Sequence, residues 1–444
     1  SGAEGTAAIM NAGIMDAGGM DAGIMTAWQN WSGSVTAQPR TIARPRDEEE
    51  LAHTVREAAH VRVVGAGHSF MPLCATDDTL VSLSAMEGGL TVAPDRLSVE
   101  APAGWSLARL TEALWAEGLS LANQGDVNPQ ALCGALATGT HGTGRDLGSL
   151  ATIGEAFRAI GPDGAVVTCD PATEPDLFEA QRLSLGMLGI VTRARIKVVP
   201  AYHLAEKTGP MPLAAVLERL DDLAAATRHM EFFFFPYADD VILKTLDPCE
   251  PCPYDGEEES ETGFKAACEA ARQDPQAVPM IQRAIMERVK PAERRGPAWQ
   301  IFPADRTTRF EEMEYEVPRA HAVAALKAVT QRLRDKQMPL MFPFEFRLVA
   351  GDDIWLSPFH AGPCASISIH QYAGMDWQAE FADLEAVLRD HGGRPHWAKR
   401  HRLSSDDVLA LYPRAADFGR VRKRFDPEAK FMNAHLAQLF AFSL

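Results

Sequence analysis

The chain contains 444 residues, of which 46% are apolar and 23% are charged, a composition typical of a globular protein and not of a disordered or fibrous one. At about 150 residues per domain, this length predicts two or three domains with a sizeable core. The chain has 60 Asp and Glu residues against 43 Lys and Arg, and the resulting net charge of −17 disfavours nucleic acid and anionic membrane surfaces as partners.

The sequence also lacks the signals of membrane insertion and export. We expect no membrane span, because no run of about 18 apolar residues occurs, and no secretory signal, because the N-terminus is not basic and then apolar. The seven cysteines are odd in number and scattered, which argues against a disulfide framework. Cys249 and Cys252 have C-x-x-C spacing, but neither a second pair nor a nearby His completes a zinc site. We therefore predict a cytoplasmic protein without a bound metal.

The first part of the chain alternates helices and strands. Residues 1–25 carry a five-residue repeat of small residues that buries little surface, and we interpret them as a flexible leader or tag. The pattern after them predicts, in chain order, a helix capped by Asp47 that reaches Ala58, a strand over Val61–Val64, a strand over Leu97–Ala101, a helix capped by Ser106 with an apolar stripe at Leu107, Leu110 and Leu114, and a half-buried strand over residues 190–199.

After Pro200 the predicted elements become longer, and we place a domain boundary near residue 200. They are, in order, an amphipathic helix through Leu213, Leu217, Leu220 and Ala224, a strand over Phe232–Phe235, a helix over Ala320–Leu333, and a helix through Phe381, Leu384 and Leu388 that ends at Gly392-Gly393. The last segment, residues 394–444, is too short to fold alone, so we expect it to dock on the rest of the protein.

Two glycine-rich segments of the first part indicate a nucleotide cofactor. The segment Gly65-Ala-Gly-His-Ser-Phe70 follows a predicted strand but lacks the third glycine of a dinucleotide fingerprint, which disfavours a Rossmann site. The second segment is Gly134-Ala-Leu-Ala-Thr-Gly-Thr-His-Gly-Thr-Gly144. Its glycines let backbone N–H groups approach a pyrophosphate, and its threonines add side-chain donors. One such loop is weak evidence, whereas two in one domain favour a nucleotide.

Two later strands are predicted to have one polar and one apolar face. Glu345 and Arg347 point to one side of the first strand, while Phe344, Phe346 and Leu348 point to the other. The next strand places Ser366, Ser368, His370 and Tyr372 opposite Ile367 and Ile369. A surface ion pair would also explain Glu345 and Arg347. The large apolar neighbours instead indicate a covered sheet, in which buried charges need partners or a function.

Taken together, these motifs resemble the flavin-dependent aldonolactone oxidases of the vanillyl-alcohol-oxidase superfamily. The resemblance runs from Trp28 to the C-terminus and leaves out the Cys249 to Thr262 loop. It rests on five motifs in order: Val63-Val-Gly-Ala-Gly-His-Ser69, Thr138-Gly-Thr-His-Gly-Thr-Gly144, Glu312-Met-Glu-Tyr315 with Val317-Pro318, Gly351-Asp-Asp-Ile354 with Leu356-Ser-Pro358, and Gly393-Arg-Pro-His-Trp-Ala-Lys399.

The resemblance implies an α+β, two-domain fold of the vanillyl-alcohol-oxidase type. Residues 26–200 would form an N-terminal FAD-binding domain of the PCMH type. Residues 201–444 would form an α/β cap domain with a mostly antiparallel sheet, in which residues 394–444 return to the flavin site.

The resemblance also assigns the cofactor, FAD, bound covalently through His68 to the 8α-methyl carbon of the flavin. A neutral imidazole is a good nucleophile, and the link would ease flavin reduction. Further cofactor-binding residues implied by the resemblance are Gly65, Ala66, Gly67, Ser69, Gly125, Asn128, Cys133, Gly134, Thr138, Thr140, His141, Gly142, Thr143, Ile190 and Lys399. Gly125 would leave room for oxygen beside the flavin. Cys133 stands where relatives usually have glycine, and a single cysteine among apolar neighbours commonly just packs.

On the substrate side, the resemblance implies that Glu345 and Arg347 hold a polyhydroxy substrate and that Lys399 lies over the flavin. We expect oxidation of an aldono-1,4-lactone at C2 by hydride transfer to flavin N5, with molecular oxygen as the acceptor and hydrogen peroxide as the product. Because Arg347 stays protonated, Glu345 is the candidate base and His370 a weaker one.

Two alternatives stay open at this point. The first is an alditol oxidase, a related enzyme that uses the same flavin frame, although the tail motif favours the lactone group. The second is a non-catalytic flavin- or sugar-binding protein, against which the intact set of His68, Glu345, Arg347 and Lys399 argues. In either enzyme the expected partners are a sugar lactone or alditol and molecular oxygen.

Overall fold

The computed structural model describes residues 27–256, 261–304 and 306–444, so the leader predicted at residues 1–25 lies outside the described residues. The elements up to Pro200 are β1 (Trp28–Gln29), β2 (Thr36–Ala37), β3 (Thr41–Ala43), α1 (Glu48–Glu57), β4 (Val61–Val64), β5 (Thr79–Ser82), β6 (Thr91–Val92), β7 (Ser98–Pro102), α2 (Leu107–Ala116), β8 (Leu119–Ser120), α3 (Leu132–Thr138), β9 (Gly154–Ile160), β10 (Val166–Cys169), α4 (Pro175–Gln181), β11 (Ile190–Lys197) and β12 (Val199–Pro200).

The second part of the chain supplies the larger sheet and most of the helices. Its elements are β13 (His203–Pro212), α5 (Leu213–Glu218), α6 (Leu220–Ala226), β14 (His229–Phe234), β15 (Asp240–Cys249), α7 (Thr262–Gln273), α8 (Val278–Met286), β16 (Ala292–Pro297), α9 (Ala298–Ile301), β17 (Phe310–Pro318), α10 (Ala322–Asp335), β18 (Phe344–Val349), β19 (Cys364–Tyr372), α11 (Gln378–Asp390), β20 (Arg394–Pro395), α12 (Ser405–Leu411), α13 (Ala415–Phe425) and α14 (Ala434–Leu439).

The helix starts predicted in the first part are confirmed together with their caps. The Asp47 side chain accepts the N–H of Glu50 at 2.9 Å, and the Ser106 hydroxyl accepts the N–H of Arg109 at 3.1 Å. Each of these bonds satisfies one backbone donor that a helix start leaves open. The strand predicted to begin at Leu97 begins instead at Ser98, and the Leu97 side chain is 65% exposed.

The prediction of a single amphipathic helix after Pro200 is wrong in one respect. The structure has two short helices there, α5 and α6, because the backbone at Arg219 leaves the helical region at φ −108° and ψ 18°. The apolar positions still serve their predicted purpose. Leu220 and Ala224 belong to the core that covers the large sheet, and Leu213 and Leu217 pack against it partly buried.

The first part of the chain builds two main sheets and shares its core with the end of the chain. β3, β5 and β4 form a parallel sheet, and β10, β9, β11, β7 and β6 form an antiparallel one. Residues of α2 and β11 pack in one apolar cluster with residues of α12, α13 and α14. The predicted docking of the C-terminal segment is thus confirmed.

The second part is organised around an eight-stranded antiparallel sheet in the order β16, β13, β15, β14, β18, β19, β17, β20. One face is apolar and is covered by α5, α6, α10 and α11. Phe344 and Phe346 of β18 and Ile367 and Ile369 of β19 lie in this core, as predicted. The other face is polar. The domain boundary near residue 200 falls between β12 and β13 and stays a prediction.

The C-terminal segment also completes the edge of the small parallel sheet. The Val61 N–H donates to the Lys430 carbonyl at 2.9 Å, and Lys430 Nζ donates to the Val55 carbonyl at 2.8 Å. The buried Arg62 guanidinium donates to backbone carbonyls from both ends of the chain, those of Leu73, Leu185, Gly186 and Phe431. Across the described ranges, every helix is too short or too polar to cross a membrane.

Candidate functional site

The candidate site begins with Arg347 and Glu345 on the polar face of the large sheet, where the sequence predicted them. Both residues are 7% exposed. The Arg347 guanidinium donates to the Glu314 carboxylate and, at 3.3 Å, to the Ser368 hydroxyl. Its Nε lies 3.5 Å from Glu345 Oε1 and has no hydrogen-bond partner among the described residues. An unpartnered buried donor beside a carboxylate is a place where a hydroxyl group can bind.

Burial sets the protonation of Glu345. It raises the pKa of this carboxyl to about 7, although Arg347 pulls in the opposite direction. The carboxylates of Glu231 and Asp126 are near enough to add to the rise. A carboxyl group whose pKa lies near neutrality can accept a proton and give it up again at physiological pH, so Glu345 has the property of a general base.

Lys399 and His370 meet at a second buried carboxylate, Glu312. Lys399 Nζ donates to Glu312 Oε2, and His370 Nε2 lies 3.3 Å from Glu312 Oε1. Burial opposes ionisation of Glu312, but Lys399 and His370 together lower its pKa to about 2. His370 Nδ1 faces the Pro343 carbonyl at 3.0 Å. Because both ring nitrogens face acceptor oxygens, His370 is poorly placed to take a proton from a substrate.

A third buried carboxylate, Glu314, links the sheet to the second glycine-rich segment. Glu314 Oε1 accepts from His141 Nε2 at 2.8 Å, while His141 Nδ1 donates to the Gly142 carbonyl at 2.8 Å. Burial and Arg347 would lower the pKa of His141, but Glu314 and Glu316 outweigh them and raise it to about 9. The ring is therefore an imidazolium that carries a proton on each nitrogen.

The same groups raise the question of a metal site. One ligand atom from each of His141, Glu314 and His396 lies within 4.8 Å of the other two. Both nitrogens of His141 are engaged as donors, and the Arg347 guanidinium occupies the other oxygen of Glu314. A metal needs lone pairs on its ligands and repels a nearby cation. We therefore interpret the cluster as a hydrogen-bonded network.

The first glycine-rich segment places His68 close to Lys399. The His68 ring stacks on Trp31 with ring centroids 5.2 Å apart, and the Phe70 N–H donates to the Ala398 carbonyl at 2.7 Å. Lys399 Nζ lies 5.2 Å from the centre of the Phe70 ring. Burial, reinforced by Lys399, lowers the pKa of His68 to about 4. The imidazole is therefore neutral at physiological pH, as a nucleophile must be.

Both glycine-rich segments pack closely against neighbouring residues, and the second also has an open position. A Cβ atom at Gly65 would lie 2.8 Å from Cβ of Ala131, which precedes α3, and one at Gly142 would lie 2.3 Å from the Gln124 carbonyl oxygen. In contrast, a Cβ at Gly134 would meet no atom within 4 Å. Gln124 Nε2 is buried without a hydrogen-bond partner among the described residues. The close backbone contacts, the open position at Gly134 and the unused donor of Gln124 fit the FAD that the resemblance implies.

The second segment differs from expectation in two ways. Its first half is not a loop, since Gly134 and Thr138 lie within α3. Its threonines also donate inside the protein: Thr138 to the Gly134 carbonyl at 2.9 Å, Thr140 to Gln130 Oε1 at 2.8 Å, and Thr143 to the Met230 carbonyl. Their hydroxyl protons are thus engaged within the protein, and their role as donors to a pyrophosphate stays a prediction.

The surroundings of four other predicted cofactor residues are also defined, those of Gly125, Asn128, Ile190 and Cys133. Gly125 is adjacent to the second segment, because its Cβ would lie 3.0 Å from the His141 carbonyl oxygen. The Asn128 carbonyl accepts the N–H of Ala108 at 2.9 Å. Ile190 opens β11, and its side chain is buried in the core of the small parallel sheet, so it can reach a ligand through its backbone alone. Cys133 packs at the edge of the main N-terminal core.

The carboxylates of β17 were not predicted as site residues, although their motif is part of the resemblance. Glu312, Glu314 and Glu316 alternate with Met313, Tyr315 and Val317, which is the same period-two pattern that identified Glu345 and Arg347. The signal was therefore present. The pattern did not indicate which cations would form ion pairs with these carboxylates.

Comparison with known proteins agrees with this geometry. The chain matches the D-arabinono-1,4-lactone oxidase family over residues 194–439 and the FAD binding domain family over residues 39–170. It is 35% identical over 418 residues to L-gulono-1,4-lactone dehydrogenase of Mycobacterium tuberculosis, covering 91% of this chain and 97% of that protein. It is 31% identical over 441 residues to L-gulonolactone oxidase of Scyliorhinus torazame, covering 93% and 98%.

Two further likenesses complete the comparison. The chain is 30% identical over 440 residues to alditol oxidase of a Streptomyces species, covering 93% of this chain and 99% of that protein. Cholesterol oxidase of Brevibacterium sterolicum superposes with a TM-score of 0.82 over 93% of this chain and 96% of that one, at 16% identity. At that identity the likeness shows the fold alone, and it confirms the predicted two-domain α+β architecture.

Proposed function

Since the chain belongs to the D-arabinono-1,4-lactone oxidase family, we propose that this FAD-dependent enzyme oxidises the C2 hydroxyl of an aldono-1,4-lactone and passes the electrons to molecular oxygen. The observation that carries the proposal is the buried pair of Glu345 and Arg347 on the polar face of the sheet, with an unused guanidinium N–H between them. When a donor lies beside a carboxylate, the donor can bind the oxygen of a hydroxyl group while the carboxylate accepts its proton.

The pair suits an uncharged substrate that carries several hydroxyl groups. A lactone brings no charge, so it does not displace the ion pairs that hold Arg347 and Lys399. Instead, Arg347 Nε donates to the C2 oxygen while Glu345 accepts the hydroxyl proton. The guanidinium also stabilises the negative charge that develops on this oxygen as the proton leaves.

We assign the cofactor to the space between the two glycine-rich segments, with His68 as its covalent attachment point and Lys399 beside it. When bound, FAD supplies the acceptor of the hydride from C2. Lys399 then provides a fixed positive charge, which Glu312 holds in place. The surrounding sheet and loops exclude water, which strengthens these interactions.

Molecular oxygen as the electron acceptor rests on Gly125. A side chain at this position would press on the second glycine-rich segment, because its Cβ would lie 3.0 Å from the His141 carbonyl oxygen. This contact is a packing reason for glycine, and room for oxygen beside the flavin is what the resemblance implies for a glycine at this position. Since one relative bears the name dehydrogenase and another the name oxidase, the acceptor is tested together with the substrate.

A substrate panel tests the proposed function. Under anaerobic conditions, aldono-1,4-lactones of the gulono, galactono and arabinono series should bleach the flavin of the purified holoenzyme, and xylitol or sorbitol should do so far more slowly. Readmitted oxygen should restore the colour and yield hydrogen peroxide. Fast bleaching by alditols would favour an alditol oxidase, no bleaching by either class would overturn the enzyme, and recovery with a dye but not with oxygen would overturn the acceptor.

The rate of flavin reduction should depend on pH through Glu345. The base works only when ionised, and burial raises its pKa to about 7. The anaerobic reduction rate should therefore level off above about pH 8 and fall about tenfold for each pH unit below neutrality. Glu345→Gln should be about 10²- to 10⁴-fold slower and flat over the same range. A wild-type rate that does not vary between pH 5 and 9 would contradict this role.

A further inference from the structure

Three carboxylates lie side by side on the polar face of β17, a strand flanked by β19 and β20. Glu312, Glu314 and Glu316 are 3%, 0% and 1% exposed. A buried carboxylate is costly unless cations and donors surround it. Glu314 is the best supplied, since it accepts from Arg347, Ser368 and His141. The proposed function gives Glu312 the task of holding Lys399 and leaves Glu314 without a stated role in the reaction.

We propose that Glu314 is a positioning residue that holds the Arg347 guanidinium away from Glu345, so that the two groups stay separate and meet through the substrate hydroxyl. This inference rests on the proposed function, because it assigns Glu345 as base and Arg347 as donor.

The argument starts from the two carboxylates that compete for Arg347. The guanidinium donates to Glu314 and to Ser368, whereas its Nε lies 3.5 Å from Glu345 Oε1, beyond a good hydrogen bond. Without the Glu314 charge, Glu345 is the nearest carboxylate that can take a guanidinium in a two-pronged pair. Such a pair would occupy both the donor and the base.

His141 explains why Glu314 stays charged and in place. Its imidazolium donates to Glu314 from one nitrogen and to the Gly142 carbonyl from the other. A residue of the second glycine-rich segment therefore fixes the position of the Glu314 carboxylate. Burial opposes ionisation of Glu314, but Arg347 and His141 lower its pKa well below its ordinary value. Glu314 therefore stays ionised over the working pH range and keeps its ion pair with Arg347.

The surroundings of Glu345 determine how its titration responds. The charged groups that face it are Arg347 of its own strand, Glu231 of β14, His370 of β19, Asp126 of the loop before α3 and Arg306 of the loop after α9. If Arg347 turned toward Glu345, an opposite charge would come into direct contact, and the pKa of the carboxyl would fall by about 1 to 3 units. Its basicity would fall with it.

The test compares Glu314→Gln with Glu316→Gln. Glu316 is a matched control, since it lies two residues further on the same face and is equally buried. It neighbours Glu314 and His141, whose Nε2 is 3.5 Å from its Oε1, but among the described residues it forms no ion pair with Arg347. In Glu314→Gln, the pH midpoint of anaerobic flavin reduction by an aldono-1,4-lactone should fall by at least about one unit, and the limiting rate by about 10- to 100-fold. Glu316→Gln should stay within about threefold of wild type.

Two further variants separate positioning from a general loss of structure. Glu314→Asp keeps the charge but withdraws it by one methylene, so it should move the midpoint in the same direction by a smaller amount, even if Glu314→Gln fails to fold. In an Arg347→Ala background, Glu314→Gln should cause no additional loss of rate, because it acts through Arg347. An additional loss of tenfold or more would overturn the proposal, as would a midpoint equal to that of Glu316→Gln.

A crystal structure of the Glu314→Gln holoenzyme gives a readout independent of turnover. We expect the Arg347 guanidinium to move away from the side chain at position 314 and to form two hydrogen bonds with Glu345. An unmoved guanidinium would overturn the inference. If wild-type flavin is bleached by neither lactones nor alditols, the proposed function fails, and this structural comparison still decides whether Glu314 positions Arg347.

Discussion

Replacement of Arg347 by alanine should abolish the reduction of bound flavin by an aldono-1,4-lactone while the cofactor stays in the protein. The substitution removes the charged donor for the substrate oxygen, and loss of one such donor typically costs about 10² to 10³ in rate. It also leaves Glu345 without its neighbouring cation, which makes the carboxyl harder to ionise. We therefore expect at least a 1,000-fold slower reduction in anaerobic stopped-flow measurements, or about 4 kcal/mol in the activation free energy.

The controls separate chemistry from stability. Removal of the guanidinium leaves Glu314 and Glu345 buried without their partner, and breaking a buried ion pair typically costs about 3–5 kcal/mol of stability. Flavin content and the thermal midpoint must therefore be measured beside the rate. Arg347→Lys keeps the charge but not the fork of donors, and we expect partial activity. Normal reduction kinetics in Arg347→Ala would place the substrate elsewhere.

Replacement of His68 by alanine should convert a flavin that withstands acid denaturation into one that is released. In the wild-type protein we expect the yellow colour to remain in the acid-precipitated pellet, because the neutral His68 ring can form a bond to the flavin. In His68→Ala all of the flavin should appear in the supernatant. The measurement is the absorbance of the two fractions, supported by flavin fluorescence of the denatured chain on a gel.

The matched control is His53→Ala, which removes an exposed histidine of α1, the helix that precedes the strand leading to the glycine-rich segment. Its flavin should stay in the pellet. Colour retained in the pellet of His68→Ala would assign the bond to another residue. Colour released from the wild type would show that the cofactor is held without a covalent bond. The assignment of FAD as the cofactor would not change.

The polar face of the large sheet was predictable because strand periodicity is a local property. The alternation of Glu345 and Arg347 with phenylalanines fixes which side chains share a face, whatever the neighbouring strands are. The partner of Arg347 was not predictable in the same way. It depends on β19 pairing with β17 as well as β18, and β17 precedes both in the chain.

The cofactor segments show the same division between local and long-range information. The glycines of Gly65-Ala-Gly-His68 mark a turn, and the structure places one there, with Gly67 at φ +69°. The engagement of Thr143 depends on the carbonyl of Met230, which lies 87 positions away. A hydroxyl group takes whichever acceptor the tertiary structure brings to it, so its use in ligand binding cannot be read from the sequence around it.

The contact between Val61 and Lys430 has a consequence for biosynthesis. The guanidinium of Arg62, which follows Val61, reaches the Phe431 carbonyl, 369 positions later, so the strand that leads into His68 acquires partners that are translated long after it. A nascent chain cannot close this edge before Lys430 and Phe431 have left the ribosome, although domains often fold during synthesis. A translation product truncated before Lys430 would lack this edge, and we expect it to emerge colourless.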